Sequence, residues 1–210
     1  MRDAETLAWL ERRRNYVTAS QLAVVMGDNP FTSRDKLFKE KVLGDFPVLD
    51  FPAPWWGLFL EDKILEAFGI LSGLETQAGQ EFVARGELSA TLDARVLGPG
   101  EDSHRTNWIN WHWNAEGSLP AVADAKNTSQ KSFANWRRYG VPKDGIPKYY
   151  WWQLQAQMHC TGVDTGILVV KVGARELHAF VEEYDELAME LAVDKVRDFM
   201  KEVRKAREEL

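Results

Sequence analysis

Asp124 and Lys126 stand two apart in the short apolar run Ala121-Val122-Ala123-Asp124-Ala125-Lys126. In a β-strand alternate side chains share a face, so this carboxylate and ammonium project together from a segment otherwise suited to burial. Such a carboxylate can hold a divalent cation, and a lysine beside it can orient or deprotonate a water. A salt bridge at a strand end is the plainer use of the same pair, so the neighbours matter. Asp93 interrupts a second strand-like run, Ser89–Val96, and Glu61 lies beside the apolar stripe of a helix. Two carboxylates and a lysine at a sheet edge, joined by a helical glutamate, describe a divalent-metal phosphodiesterase site. Carboxylates crowded together repel, which raises one pKa, and Mg²⁺ held by oxygen ligands relieves that repulsion.

A second group lies near the N-terminus. Thr18 with Gln21 three residues on has capping-box form, so Thr18 starts a helix that Gly27 stops. A helix start presents free N–H groups and partial positive charge, and hydroxyls at Thr18 and Ser20 with an arginine nearby complete a phosphate site. An ordinary helix cap uses the same residues. The arginine comes from the run Arg12-Arg13-Arg14. Lys126, Lys131, Arg137, Arg138, Lys143 and Lys148 form further positive clusters.

The elements that must position these groups follow from periodicity and punctuation. Residues 4–14 suit a short helix, Ser33–Leu43 a second beyond the Thr18 helix, and 45–54, with three prolines, a connecting loop. A long amphipathic helix runs from Trp55 to about Leu71. Phe82–Ala84 and Ser89–Val96 read as strands turning at Gly86, 97–106 as a polar loop, and Trp108–Trp113 as a strand joined through Glu116-Gly117 to the Asp124 strand. Asn127–Tyr139 reads as loop then helix. Pro147 opens a strong helix, Tyr149–His159, ended by Gly162; on it Gln153, Gln157 and Tyr150 share a face. Ile167–Val172 and Glu176–Val181 form a hairpin, and Tyr184 to the C-terminus is one long helix. The expectation is a mixed α/β (α+β) fold of one domain spanning residues 1–210, closed by the C-terminal helix.

Composition narrows the function classes. At 210 residues, 45% apolar, the chain can bury a sizeable core. A net charge of −6 argues against a protein that coats nucleic acid everywhere, yet leaves room for a local basic channel. One cysteine, Cys160, excludes an internal disulfide and a cysteine-ligated zinc or iron–sulfur site within one chain. His112 stands alone and receives no metal role. Nothing approaches the ~20 apolar residues of a membrane span. The N-terminus MRDAETLAWLERRR is no signal peptide, so a cytoplasmic location without membrane partners is expected.

The order Glu61, Asp93, Asp124-Ala125-Lys126, Gln153 resembles the PD-(D/E)XK nuclease superfamily, specifically its lambda-exonuclease (YqaJ-like viral recombinase) branch. The resemblance runs from Trp9 to about Gly162 through Trp9-(x3)-Arg13-(x4)-Thr18-Ala19-Ser20, Trp56-Gly57-(x3)-Glu61, Thr91-Leu92-Asp93, Asp124-Ala125-Lys126 and Tyr150-(x2)-Gln153-Leu154-Gln155-(x2)-Met158. It implies a restriction-endonuclease-like core, a mixed central sheet flanked by helices. It further implies a 5′→3′ exonuclease acting on double-stranded DNA ends and leaving 3′ single-stranded overhangs for phage-type recombination. By the same resemblance Asp93, Asp124 and the carbonyl of Ala125 bind Mg²⁺ (Mn²⁺ substituting), and Glu61 assists through a second metal or its waters. Lys126 positions or activates the attacking water with help from Gln153. Arg13, Thr18 and Ser20 hold the 5′-phosphate, with Trp9 packed against that pocket. The implied partners are 5′-phosphorylated duplex DNA, a single-strand annealing protein and two further copies in a homotrimeric ring, within the bacterial host of a phage or prophage. Two departures stand out: Asp-Ala-Lys-Asn replaces the usual Glu-x-Lys followed by Cys-Pro, and Leu92-Asp93-Ala94 replaces Pro-Asp-Gly. Another nuclease of the superfamily, such as an endonuclease or CRISPR-associated relative, and a non-catalytic DNA-end-binding protein are the competing readings.

Overall fold

The computed structural model describes residues 10–11, 13–44, 53–100, 106–113, 116–138 and 145–210; of 53–58 and 137–138 it describes the backbone alone. Trp9, Arg12, Lys143, most of the helix expected over 4–14 and most of the loop expected over 45–54 lie outside the described residues.

Seven strands form one mixed sheet: β1 (Val17–Thr18), β2 (Leu74–Arg85), β3 (Leu88–Pro99), β4 (Ile109–Trp113), β5 (Ala121–Thr128), β6 (Thr165–Val172) and β7 (Glu176–Glu183). Their order is β1-β3-β5-β6-β7-β4, with β2 antiparallel to β3. Beyond the helical residues at 10–11 and 13–15, the helices among the described residues are α1 (Ala19–Met26), α2 (Arg34–Leu43), α3 (Ala53–Ser72), α4 (Gln130–Arg138), α5 (Lys148–Thr161) and α6 (Glu186–Glu208). This is the mixed α/β architecture expected, with its long C-terminal helix.

Alternation along the central strands divides the core into two layers. Val122 of β5 and Leu168, Val170 and Val172 of β6 pack with α1, α2, α5 and α6 through residues such as Leu22, Leu37, Leu154 and Phe199. Ala121, Ala123 and Ala125 of β5 and Ile167 and Val169 of β6 pack against Ile64, Leu65 and Phe68 of α3. Period-two geometry therefore directs Asp124 and Lys126 to the α5 side of the sheet. The lack of a Cβ at Gly166 lets α5 come close to β6, because a Cβ there would meet the Met158 sulfur at 3.3 Å and Leu154 Cβ at 3.4 Å. At the start of α5 the Trp152 indole donates to Asp28 Oδ2 at 2.6 Å, tying this helix to the segment after α1.

The strand β3 departs from a regular ladder where the chemistry lies. On one edge it pairs with β2 along its length; on the other it pairs with β1 at Leu88 and Ser89 and with β5 only from Ala94 to Val96. Ala90–Asp93 thus face an opening between β1 and β5. Opposite Asp93, Gly79 and Gln80 of β2 make a bulge, since the pairing steps from Ala78↔Ala94 to Glu81↔Leu92. Across it the strand changes layers: Ala90 and Leu92 belong to one core cluster, Ala94 and Val96 to the other. The bulge breaks the ladder locally and increases the twist at this point.

The caps follow the sequence closely. Gly27 (φ 84°) closes α1 and Gly162 (φ 73°) closes α5, its N–H donating to the Met158 carbonyl at 2.8 Å. Asp185 accepts from Ala188 N–H at 2.9 Å and so starts α6 two residues after the expected Tyr184. The β2–β3 hairpin is much longer than the two short strands expected. β2 is mostly exposed and polar, so main-chain pairing rather than buried alternation holds it. β4 follows the aromatic run as expected, but its sheet neighbour is β7, in parallel, rather than the β5 strand next in sequence. Among the described residues no helix is long and apolar enough to cross a membrane.

Candidate functional site

Where β3 parts from β5, Asp93 takes over the pairing with its side chain. Its Oδ2 accepts the backbone N–H of Ala125 at 3.0 Å. Asp124, 1% exposed, receives two side-chain donors on Oδ1: Gln153 Nε2 at 2.6 Å and Gln157 Nε2 at 3.0 Å, both from α5. Its buried Oδ2 is ion-paired with Lys126 Nζ without accepting a well-aligned hydrogen bond. Lys126 Nζ also donates to the Ala125 carbonyl at 3.0 Å and lies 5.8 Å from the centre of the Tyr150 ring. An ammonium is thus gathered by the Asp124 carboxylate and the Ala125 carbonyl, beside Asp93.

That donor set fits a hard divalent cation. Among the described residues no three His, Cys, Asp or Glu side chains converge to hold a metal by themselves. Asp93, Asp124 and the Ala125 carbonyl instead offer the few protein oxygens with which Mg²⁺ is content, since it keeps several waters or substrate oxygens. The electrostatics agree. Burial, then the neighbouring Asp124 charge, pushes the Asp93 carboxyl up to about 8 against the pull of Lys126 and the Ala125 N–H. Glu61, half-buried on α3, is raised above its ordinary value by burial; Lys126 opposes the rise and Asp124 adds to it, which places Glu61 in the field of the same site. Burial works to lower the Lys126 pKa, but Asp124 and Asp93 outweigh it and hold the ammonium above its ordinary value. Lys126 is therefore charged near neutrality and suited to placing a water or stabilising negative charge.

The N-terminal group borders the same opening. Arg13, Thr18 and Ser20 line a cavity of about 290 Å³ together with Gln80, Phe82, Ser89, Thr91 and Gln153. Gln153 thus faces this cavity while its amide bonds Asp124. Thr18 N–H donates to Gln21 Oε1 at 3.2 Å, one half of the capping box, and the Thr18 and Ser20 hydroxyls lie 3.3 Å apart at the start of α1. Burial lowers the Arg13 guanidinium below its ordinary value, partly offset by Glu40. The structure brings Asp93, Asp124, Ala125, Lys126 and Gln153 into direct contact, with Glu61 coupled to them, and sets Arg13, Thr18 and Ser20 beside them. Trp9 lies outside the described residues.

Four residues here were given no role from sequence. Gln157 was visible as a face-mate of Gln153, but its bond to Asp124 requires α5 to lie on β5. Thr91 and Gln80 enter the cavity through the β3 opening and the β2 bulge, neither of which leaves a sequence pattern. Lys41, which looks like a solvated helix lysine, is fully buried behind Arg13.

The YqaJ-like viral recombinase domain model matches residues 8–164. No curated protein matches the chain. Among solved structures, the alkaline exonuclease LHK-Exo from Laribacter hongkongensis is 18% identical and superposes with a TM-score of 0.68 over 96% of this chain and 94% of that one. The same enzyme in complex with dAMP gives 19% identity and a TM-score of 0.67 over 96% and 94%. A phage-related exonuclease from Haemophilus somnus gives 13% and 0.55 over 92% and 94%. At these identities the likeness establishes a shared fold, and it spans nearly the whole of each chain. With the family model covering most of its length, this chain belongs to the YqaJ-like viral recombinase domain family.

Proposed function

We propose that this protein is a divalent-metal-dependent 5′→3′ exonuclease that degrades one strand from double-stranded DNA ends and leaves 3′ overhangs for recombination by strand annealing. The observation that carries the reading is the meeting of Asp93, Asp124, Lys126 and Gln153 at the open edge of β3, directly beside the Arg13–Thr18–Ser20 cavity. Paired carboxylates, a carbonyl and a charged lysine are the parts of a PD-(D/E)XK phosphodiesterase site, and the adjoining cavity has the chemistry to grip a terminal phosphate. The family and the shared fold of alkaline exonucleases support the same reading.

In this account Asp93, Asp124 and the Ala125 carbonyl would hold Mg²⁺, with Mn²⁺ able to replace it, and Glu61 would assist through a second metal or its waters. When bound, the cation neutralises phosphate charge and lowers the pKa of a coordinated water. The protein groups do the rest. Gln153 and Gln157 fix the Asp124 carboxylate, and Lys126 orients the attacking water and offsets charge building on the scissile phosphate. The water oxygen bonds to phosphorus as the bond to the 3′ oxygen breaks. Arg13 meets the 5′-phosphate with a planar fork, Thr18 and Ser20 add hydroxyls, and the start of α1 favours the anion. The dAMP complex of the structural neighbour shows that a nucleoside monophosphate binds that related fold. A ring of three copies and a single-strand annealing partner complete the proposal.

The test uses linear duplexes labelled on either the 5′ or the 3′ end, alongside circular duplex and single strands. The reading expects Mg²⁺-dependent early release of the 5′ label, late release of the 3′ label and an intact circle. Early release of the 3′ label, or cutting of the circle, would contradict it.

A further inference from the structure

Behind the end pocket lies a lysine with an unusual set of partners. Lys41 on α2 is 0% exposed. Its Nζ donates to the backbone carbonyls of Arg13 and Tyr16 and, at 2.8 Å, to Gln21 Oε1. That same Gln21 oxygen accepts the Thr18 N–H. One ammonium therefore binds both ends of the turn from Arg13 to Tyr16 and, through Gln21, the residue that opens α1.

A second cation fixes Lys41 from behind. Arg207 of α6 donates to the Lys41 carbonyl at 2.8 Å and to the Arg14 carbonyl at 2.6 Å. Arg14 in turn donates to the Val42 carbonyl at 3.3 Å. The carbonyls of Arg13, Arg14 and Tyr16 are all held this way, where a helical turn at 13–15 gives way to β1. Carbonyls at such a helix end carry partial negative charge and call for donors. A buried charge is costly, and the neighbouring Arg13 and Arg207 make this one costlier. Packing alone would be met by methionine or leucine. What the ammonium adds is three directed donors reaching three acceptors at once.

We propose that Lys41 is a positioning residue of the end pocket: by pinning the Arg13–Thr18 segment it sets the Arg13 fork and the Thr18 and Ser20 hydroxyls in the geometry that grips a terminal 5′-phosphate. This inference rests on the end-pocket reading above. It accounts for a buried lysine that does not line the cavity yet organises the segment on which the pocket is built.

The test compares Lys41→Met with the wild type on two linear duplexes identical except for a 5′-phosphate or a 5′-hydroxyl. The variant is expected to lose about tenfold or more of the wild-type preference for the phosphorylated duplex, as if one charge-assisted hydrogen bond in the pocket were lost. The loss is expected in KM for that substrate, with the Mg²⁺ concentration for half-maximal rate unchanged. Gln21→Met, which cuts the link to Thr18 and leaves the ammonium in place, provides a second reading if Lys41→Met does not fold, and a fall in preference is expected there too. A wild-type preference retained in the folded variants, with only thermal stability reduced, would make Lys41 purely structural and overturn the inference. A wild type indifferent to the 5′-phosphate would instead remove the end pocket, and the inference with it.

Discussion

Replacing Gln157 with leucine separates support of the candidate metal site from support of the fold. Gln157 is 1% exposed, and its Nε2 donates to Asp124 Oδ1 at 3.0 Å, while its buried Oε1 has no hydrogen-bond partner. A hydrogen bond to a charged group contributes about 1.5–3 kcal/mol, and a buried unpaired polar atom costs about 1–3 kcal/mol. Leucine is similar in size and removes both, so the two terms largely cancel and stability should change by no more than about 1 kcal/mol. Asp124 keeps Gln153 at 2.6 Å and the Lys126 ion pair, so the carboxylate stays in place but is held less firmly. Loss of one group supporting a metal ligand typically costs about 10- to 100-fold in metal affinity or activity. Initial rates on linear duplex across a Mg²⁺ series, with urea unfolding of the same samples, supply the readout. The expected result is a Mg²⁺ curve shifted to higher concentration by that factor, with the unfolding midpoint nearly unchanged. A wild-type Mg²⁺ curve accompanied by a stability loss of about 3 kcal/mol would show that Gln157 serves the core, and would refute the reasoning.

The other predictions concern individual charges. In chelator-treated protein, Asp93 keeps its proton up to about 8 while the unfolded chain loses it near 3.8, so its contribution to stability is full below 3.8 and declines as pH rises through that window. Asp93→Asn should therefore flatten the decline and melt higher than wild type at pH 8, by about 2–4 °C for each kcal/mol released; an unchanged or lower melting temperature by calorimetry would contradict the crowding. Lys126→Met should reduce turnover by about 100- to 1000-fold, with duplex binding largely kept, because its charge acts mainly on the transition state. A near wild-type rate in single-turnover assays would leave Lys126 as a salt-bridge partner only. Arg13→Ala should cut the rate on 5′-phosphorylated duplex about ten- to a hundredfold and barely affect a 5′-hydroxyl duplex, and equal losses on both substrates would place Arg13 outside any phosphate pocket.

Some of this was legible in the sequence because it depends on local order. The D-x-K spacing in an apolar run was enough to set Asp124 and Lys126 on one face, and the structure pairs their charges. Glycines after Met26 and Thr161 marked helix ends that the left-handed backbone confirms. What stayed hidden depends on long-range packing. Lys41 sits in RDKLFKEKVL, where charged residues outnumber apolar ones, and only the return of residues 13–16 across α2 turns it inward. β2 carries a polar, exposed pattern typical of a loop, and its pairing with β3 makes it a strand. The Asp93 bulge likewise exists only once Gly79 and Gln80 lie opposite a single residue.

The central claim, that Asp93, Asp124 and the Ala125 carbonyl hold the divalent cation through which the protein hydrolyses DNA, is tested most directly by one titration. Hydrolysis of linear duplex is followed against Mg²⁺ concentration for the wild type and for Asp124→Asn, which keeps the side-chain volume and removes the charge. The account predicts saturable activation of the wild type from zero rate in chelator, and no activation of the variant at any Mg²⁺ concentration while its melting curve stays cooperative. Wild-type hydrolysis in chelator, or a variant that titrates like the wild type, would contradict it.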